Sequence, residues 1–306
     1  MEFPGQASER RVCGLLSIAV SSYRYQSKRD DGPLRNKLRE LALEKPRYGY
    51  RRLHALLQRE EQVNHKRVHR VYREAGLMIR RKKRKHYVRV GRPLVQRTAA
   101  NQEWALDFVH DRVECGRAIR VLSVVDAYTR ECLSLEVDSS FASRRVTRVL
   151  DQIIAERGAP QVLRCDNGPE LTSRHFLAWA IERKIEMVHI QPGKPVQNGR
   201  VESFHGKLQD ECLRVSWFQN MFEARAKISA WRIEYNEQRP HSSLGYRTPR
   251  EFADERRLAG EQKVKDFYKV VVGQEDSNAV PLPHTPIPVQ SEDGVNLNSH
   301  ILECAK

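Results

Sequence analysis

Between Arg80 and Arg92 the chain places eight Lys or Arg in thirteen residues and no acid. Like charges at that density repel one another and cannot enter a core, so the run separates what folds before it from what folds after it. Such a run either orders on phosphates or stays solvated, and Pro93 closes it. At 306 residues the chain is also long for a single core. The resulting division is a helical region at 1–79, a basic linker at 80–97, an α/β body at 98–255 and a tail at 256–306.

The charge follows this division. Residues 1–100 hold 26 Lys and Arg against 9 Asp and Glu, whereas the whole chain is formally +15. The basic excess therefore belongs to the first third, and the remainder is near neutral. A basic arm on a neutral body points to a polyanionic partner, with nucleic acid the leading one. No segment approaches the roughly 20 apolar residues of a membrane span. The start, Met1-Glu2-Phe3-Pro4-Gly5, lacks the charged-then-apolar pattern of a signal peptide. Cys13, Cys115, Cys132, Cys165, Cys212 and Cys304 are scattered with no Cys-x-x-Cys pair, which reads as reduced thiols in a cytoplasmic protein. With a nucleic-acid partner, association with the nucleoid is expected. His65 and His69 have ligand-like spacing but no cysteine pair to complete a zinc site.

In the first region Ser8 begins a short helix through Leu15-Leu16, and Ser21-Ser22 reads as the cap of a second. Apolar residues at 34, 38, 41 and 42 predict a helix that stops before Pro46. Another runs from Tyr50 to Leu57. Asn64 is the expected N-cap of a third, with Val68, Val71, Tyr72 and Ala75 on one face and Gly76 past its end. Lys66, Arg67, Arg70 and Arg73 fall mostly away from that stripe. A buried stripe and a basic exposed face behind a tight helical pair fit a helix-turn-helix recognition element. A solvated basic face has the same pattern, and the local charge favours DNA contact. Arg51, Arg52, Arg81, Lys82, Lys83 and Arg84 join the expected DNA contacts.

The body alternates. Strands fit 104–110, 119–125, 131–137, 161–166 and 185–190, and helices fit 143–157, 173–184, 200–214 and about 222–236. A meander followed by helix, strand, helix, strand predicts a mixed sheet flanked by helices. Pro281, Pro283, Pro286 and Pro288 mark the tail, which is expected to be largely disordered.

Three acids stand out in this pattern. Asp107 interrupts the strand-like Trp104-Ala105-Leu106-Asp107-Phe108-Val109, where an unmatched carboxylate is costly to desolvate. Asp166 ends Val162-Leu163-Arg164-Cys165, and Glu202 lies just inside a helix. Each has an ordinary reading alone: the solvent side of an edge strand, a turn residue before Asn167-Gly168, and a first-turn acid favoured by the helix dipole. Together they are what a two-metal phosphodiester site requires, because carboxylates hold divalent ions while leaving positions open for substrate. Helix geometry adds to this. Val201, Phe204, Leu208 and Cys212 form an apolar stripe, and Glu202, His205, Gly206 and Gln209 share the adjacent face. Asp126 reads as a turn residue, and Asp111 is expected past its strand's end.

The motifs Trp104-Ala105-Leu106-Asp107-Phe108, Cys165-Asp166-Asn167-Gly168-Pro169-Glu170 and Asn198-Gly199-Arg200-Val201-Glu202-Ser203-Phe204-His205-Gly206-Lys207-Leu208 resemble the signatures of DDE transposases. The match is to the integrase-like second-frame product of bacterial insertion sequences of the IS-three group. Tyr48-Gly49-Tyr50-Arg51-Arg52-Leu53 with Asn64-His65-Lys66-Arg67-Val68 resembles the family's helix-turn-helix. Tyr235 to Tyr246, with Thr248-Pro249, resembles its C-terminal motif. Coverage runs from about Ser8 to Ala253.

The resemblance implies a ribonuclease-H-like core, a mixed five-stranded sheet preceded by an all-α region. It implies Asp107, Asp166 and Glu202 as ligands of two Mg²⁺ or Mn²⁺ ions. It also implies binding to terminal inverted repeats and target DNA, action as a homo-oligomer on DNA, and frequent fusion to an upstream-frame product. The family has Lys or Arg seven residues after its Glu, where this chain has Gln209; Lys207, two residues earlier, is the nearest substitute for DNA contact but points about 200° from Gln209 on the helix, so weaker activity is expected. Two other functions share some of these features. A DNA-binding regulator with a silent core accommodates Gln209 and the unmatched tail, and a ribonuclease-H-like nuclease shares the acids but leaves the basic arm unexplained.

Overall fold

The computed structural model describes residues 8–25, 30–79, 96–190 and 199–275. The chain divides into two compact units, Met1–Arg257 and Leu258–Lys306. The basic run with Arg81, Lys82, Lys83 and Arg84 lies outside the described residues, as do residues 191–198.

The first unit opens with α1 (Glu9–Leu15), α2 (Val20–Tyr23), α3 (Gly32–Glu44), α4 (Tyr50–Leu57) and α5 (His65–Glu74). The apolar stripes of α3 to α5 meet in one core that includes Leu34, Leu38, Leu53, Leu57, Val68 and Val71. Asn64 caps α5 by accepting the Lys66 N–H, 2.9 Å. Gly76 ends it at φ +69°, a left-handed conformation that costs a side-chain-bearing residue. Ser21 and Ser22 do not cap α2. They lie inside it, because Ser17, at φ +52°, turns the chain early and Ala19 occupies the cap position.

The sheet comprises β1 (Glu103–Arg112), β2 (Ala118–Asp126), β3 (Cys132–Asp138), β4 (Val162–Cys165) and β5 (Glu186–His189), in the order β3-β2-β1-β4-β5. The first three form an antiparallel meander, and β4 and β5 add in parallel. Helices α6 (Ser143–Arg157) and α7 (Arg174–Glu182) supply the crossovers. This is the mixed five-stranded, ribonuclease-H-like sheet expected, with the all-α region before it. It makes β1 the central strand, which removes the edge-strand reading of Asp107.

Side chains alternate across the sheet with period two. Trp104, Leu106, Leu122 and Val124 face α6 and α7. Val109, Val121 and Val125 face the opposite side, covered by α8 (Gly199–Leu208) and α9 (Met221–Glu237). Asp107 has the parity of Val109 and so faces α8.

Three sequence expectations are corrected. Asp111 lies within β1, paired with Ile119, because the hairpin ladder runs on to Arg112 and Ala118. The single helix expected over 200–214 ends at Leu208 and gives way to a π-helical turn, Gln209–Leu213. The wider turn brings Cys212 and Leu213 together into the core. Helix α10 (Pro249–Glu275) carries helical structure through residues 256–275, where disorder was expected. That stretch has no proline and is rich in residues that form (i, i+4) pairs, such as Gln262 with Asp266 at 2.8 Å.

Among the described residues no helix is long and apolar enough to cross a membrane. Cys13, Cys115, Cys132, Cys165 and Cys212 are free thiols.

Candidate active site

Asp107 pairs with Ser123 across β1 and β2. On its other side, β1 pairs in parallel with β4 as far as Ala105 and Arg164. Asp166 follows directly after the end of β4, and its charge reaches Asp107. Asp166 Oδ1 accepts the Gly168 N–H at 3.1 Å. A Cβ on residue 168 would stand 3.2 Å from that oxygen and 3.4 Å from the Glu170 carboxyl carbon, so a side chain there would press both carboxylates back by a few tenths of an ångström. Glu170 is buried and ion-pairs with Arg120, whose guanidinium lies 4.2 Å from the Phe108 ring centre.

Glu202 comes from the first turn of α8 and is exposed. Arg200, two residues earlier, lies 3.6 Å from the buried Glu103, which also takes Arg97 at 2.8 Å and Arg164 at 3.0 Å. One carboxylate on β1 thus ties the start of α8 to β4 and to the segment before the sheet.

Burial pushes the Asp107 carboxyl up to about 6, and the charges of Asp166 and Glu202 push the same way. Its Oδ1 accepts the Phe108 N–H at 2.8 Å. His205 Nδ1 stands 3.7 Å from Asp107 Oδ2, but burial lowers this imidazole to about 4, so at neutral pH it is no counter-ion. The fully buried Ser123 donates to the Asp107 carbonyl at 3.0 Å and meets His205 Nε2 at 2.7 Å. Among the described residues neither Asp166 nor Glu202 forms a salt bridge, and no three His, Cys, Asp or Glu side chains are gathered tightly enough to hold an ion as they stand. The donors are hard oxygens whose mutual repulsion a divalent cation would relieve, which fits Mg²⁺ or Mn²⁺ entering from outside.

Two expected results follow from this geometry. In metal-free protein, Asp107 takes up its proton near pH 6 when folded and near 4 when unfolded. The folded state therefore binds more protons between those values, and its stability falls by about 2 kcal/mol as pH rises from 4 to 6, and by about 3 kcal/mol in all once pH is well above 6. Thermal unfolding in chelator, with Asp107→Asn as reference, should show that slope in the parent and its loss in the variant. Ser123→Ala removes both contacts of a buried hydroxyl and leaves His205 Nε2 unmatched, costing about 1–3 kcal/mol by denaturant titration. A neutral result there would remove Ser123 as the brace between Asp107 and His205.

The remaining residues named from sequence are placed unevenly. Asp126 is a turn acid as expected, accepting the backbone N–H groups of Tyr128, Thr129 and Asn101 at 2.7, 2.8 and 2.8 Å. Lys66 and Arg73 are exposed on α5, whereas Arg67 and Arg70 are held by Asp31 at 2.8 and 2.6 Å. Arg51 is exposed, with its Nε on the Tyr50 hydroxyl at 3.2 Å. Arg52 is half-buried, 3.5 Å from Glu211. Lys207 is half-buried, and burial together with Arg239 and Arg52 lowers its amine to about 7. Gln209 begins the π-helical turn, where its carbonyl accepts the Arg214 N–H at 2.9 Å.

Sequence reasoning missed Ser123, Glu103 and the Arg120–Glu170 pair. A lone hydroxyl inside Val121-Leu122-Ser123-Val124-Val125 was the available signal for Ser123. The other two have no local signature.

Family models match three stretches of the chain. An HTH-like domain model matches residues 28–86, and two Integrase core domain models match 97–195 and 183–249. The chain is 45% identical over 258 residues to an insertion element IS407 uncharacterized 31.7 kDa protein of Burkholderia multivorans, spanning 83% of this chain and 93% of that one. It is 29% identical over 250 residues to transposase InsD for insertion element IS2D of Escherichia coli, spanning 76% and 81%. Among solved structures, a simian T-cell lymphotropic virus intasome in complex with PP2A regulatory subunit B56 gamma aligns at 17% identity and TM-score 0.47, over 71% of this chain and 74% of that one. The HTLV-2 integrase catalytic core domain in complex with magnesium aligns at 17% and TM-score 0.41, over 51% and 97%.

A helix-turn-helix-like region followed by an integrase core defines a polynucleotidyl transferase of the integrase type, a DNA-binding enzyme. The chain belongs to the transposases of bacterial insertion sequences, in the IS-three group, and its role is DNA transposition.

Proposed function

We propose that this chain cuts phosphodiester bonds at the ends of its insertion sequence and joins the freed 3′ ends to target DNA, with Asp107, Asp166 and Glu202 holding two divalent ions. The observation that supports this reading is that Asp107, raised first by burial, also feels the charges of both Asp166 and Glu202. Bound Mg²⁺ or Mn²⁺ would activate the attacking oxygen and stabilise the leaving one. The chain's own residues position the ligands. Gly168 anchors the Asp166 carboxylate, Ser123 and His205 brace Asp107, and Glu103 through Arg200 fixes the start of the helix bearing Glu202. Lys66 and Arg73 on α5 and Arg51 on α4 are exposed, which leaves them free to meet the phosphates of duplex DNA at the terminal inverted repeats. Joining two ends to one target calls for more than one such site, so the active form is a homo-oligomer on DNA.

The direct test is a cleavage and joining assay with Mn²⁺ on duplexes carrying the inverted repeats that flank the gene. Metal-dependent nicking at the repeat terminus followed by strand-transfer products is expected. A second reading, a DNA-binding regulator with a silent core, draws on Gln209 at the position where the family has Lys or Arg. It predicts end-specific binding with no metal-dependent nicking in the same assay.

A further inference from the structure

Among the described residues, one ion pair ties the loop after Asp166 to the strands that carry Asp107. Residues 166–173 form turns, with neither helix nor strand to hold them. Leu171 and Thr172 donate their N–H groups to the Gly168 carbonyl at 3.0 and 3.1 Å, so these bonds stay within the loop. Asn167 donates to the Ile190 carbonyl at 2.9 Å, and Ser173 reaches Ser143 of α6 at 2.7 Å. Glu170 is different, because its buried carboxylate takes the guanidinium of Arg120. Arg120 stands mid-sheet on β2, paired with His110 of β1 and Asp138 of β3. Its guanidinium lies 4.2 Å from the centre of the Phe108 ring, which meets the Phe141 ring at 5.5 Å. Phe108 in turn donates its N–H to Asp107 Oδ1 at 2.8 Å. At the other end, Glu170 Oε1 and Asp166 Oδ1 would stand 3.5 and 3.2 Å from a Cβ on residue 168. Contacts therefore run from Asp107 through Phe108, Arg120 and Glu170 to the glycine that anchors Asp166.

We propose that Arg120 and Glu170 are positioning residues for the metal-holding acids. The pair sets the Asp166 loop at a fixed distance from β1, so that Asp166 and Asp107 can share one ion. It works from the sheet face opposite the acids, through Phe108 and Gly168. Stability alone is a poor account of the pair. Arg120 Nε is buried and, among the described residues, has no hydrogen-bond partner. An unmatched buried donor offsets much of what the ion pair contributes. Position is what the contacts do supply, because β2 is hydrogen-bonded on both sides and the loop is not regular structure. Groups that orient metal-binding carboxylates without binding the ion are known to govern affinity in this way. The proposal rests on the transposase reading for the assignment of the ion to these acids.

The test titrates Mn²⁺ into the full chain with duplex carrying the element's end, and reads bound ions by electron paramagnetic resonance. Thermal unfolding in chelator is followed beside it. Glu170→Gln and Arg120→Gln should each weaken Mn²⁺ binding by about tenfold. The double variant should bind no more weakly than either single one, because the pair acts as a unit. Arg120→Lys keeps the charge but not the planar contact with Phe108, and should fall between the parent and Arg120→Gln. It also serves where a glutamine variant fails to fold. Glu131→Gln breaks another buried pair, with Arg157 at 2.7 Å beside the β2–β3 turn. That variant should lose stability and bind Mn²⁺ as the parent does. Unchanged Mn²⁺ affinity in the Arg120 and Glu170 variants overturns the proposal, whatever their stability. Tighter binding in Arg120→Gln also overturns it, since Glu170 would then be a ligand that its arginine restrains. Asp166→Asn in the same titration separates the two readings. If it loses an ion while the pair variants keep theirs, only the positioning role fails; if it binds as the parent does, the metal assignment fails with it.

Discussion

Asp166→Asn should reduce end cleavage and strand transfer by about 10³-fold, a loss of about 4 kcal/mol of transition-state stabilisation, while leaving the fold intact. The amide oxygen of Asn can still accept the Gly168 N–H, so the turn after β4 keeps its geometry. What disappears is one anionic oxygen ligand. The same substitution removes a negative charge that raises Asp107. Metal-free stability at neutral pH should therefore rise slightly as activity collapses. That opposite movement separates a lost ligand from a misfolded protein, and a variant that loses both together would point to a structural role for Asp166. Asp107→Asn and Glu202→Gln should lose activity to a similar extent in the same assay.

The second large effect lies away from the acids. Arg239→Ala should destabilise the protein by about 3 kcal/mol, because it empties a fully buried site and leaves the mostly buried Glu211 with only the longer contact to Arg52. Arg239 also stacks near Tyr48 and Tyr235 at 5.8 and 5.7 Å, so one side chain joins the helical region, the π-helical turn and α9. Arg239→Lys should recover little, since an ammonium cannot reproduce the two parallel contacts to Glu211. By contrast Arg145→Ala, which breaks an exposed pair with Asp138, should cost no more than about 1 kcal/mol. Denaturant unfolding of the three variants checks the ranking, and equal losses for Arg239→Ala and Arg145→Ala would remove the Arg239 clamp as a structural centre.

Helices α4 and α5 were readable from sequence because their caps and apolar stripes are local, and Asn64 caps where its side chain predicted. The strands were readable for the same reason, and period two alone put Asp107 on the face opposite Leu106. Its place on the central strand was not readable, because it depends on parallel pairing with β4 across a helix. The three arginines around Glu103 come from positions 97, 164 and 200, and no local pattern announces such a set. The π-helical turn was missed because its residues suit an ordinary helix, and only the demand to bury both Cys212 and Leu213 widens it. The start of the tail was misjudged because prolines beyond residue 280 coloured the reading of a helix-forming stretch before them. The acids were legible as individuals. Their proximity rests on sheet register and on the anchoring of α8 at Glu103.

The most direct measurement counts Mn²⁺ ions bound per chain, by electron paramagnetic resonance, in the presence of duplex carrying the element's end. About two ions per chain are expected for the parent protein, and no more than about one for Asp166→Asn at the same free Mn²⁺. Equal occupancy in the two proteins would contradict the assignment of Asp107, Asp166 and Glu202 as the metal-holding acids.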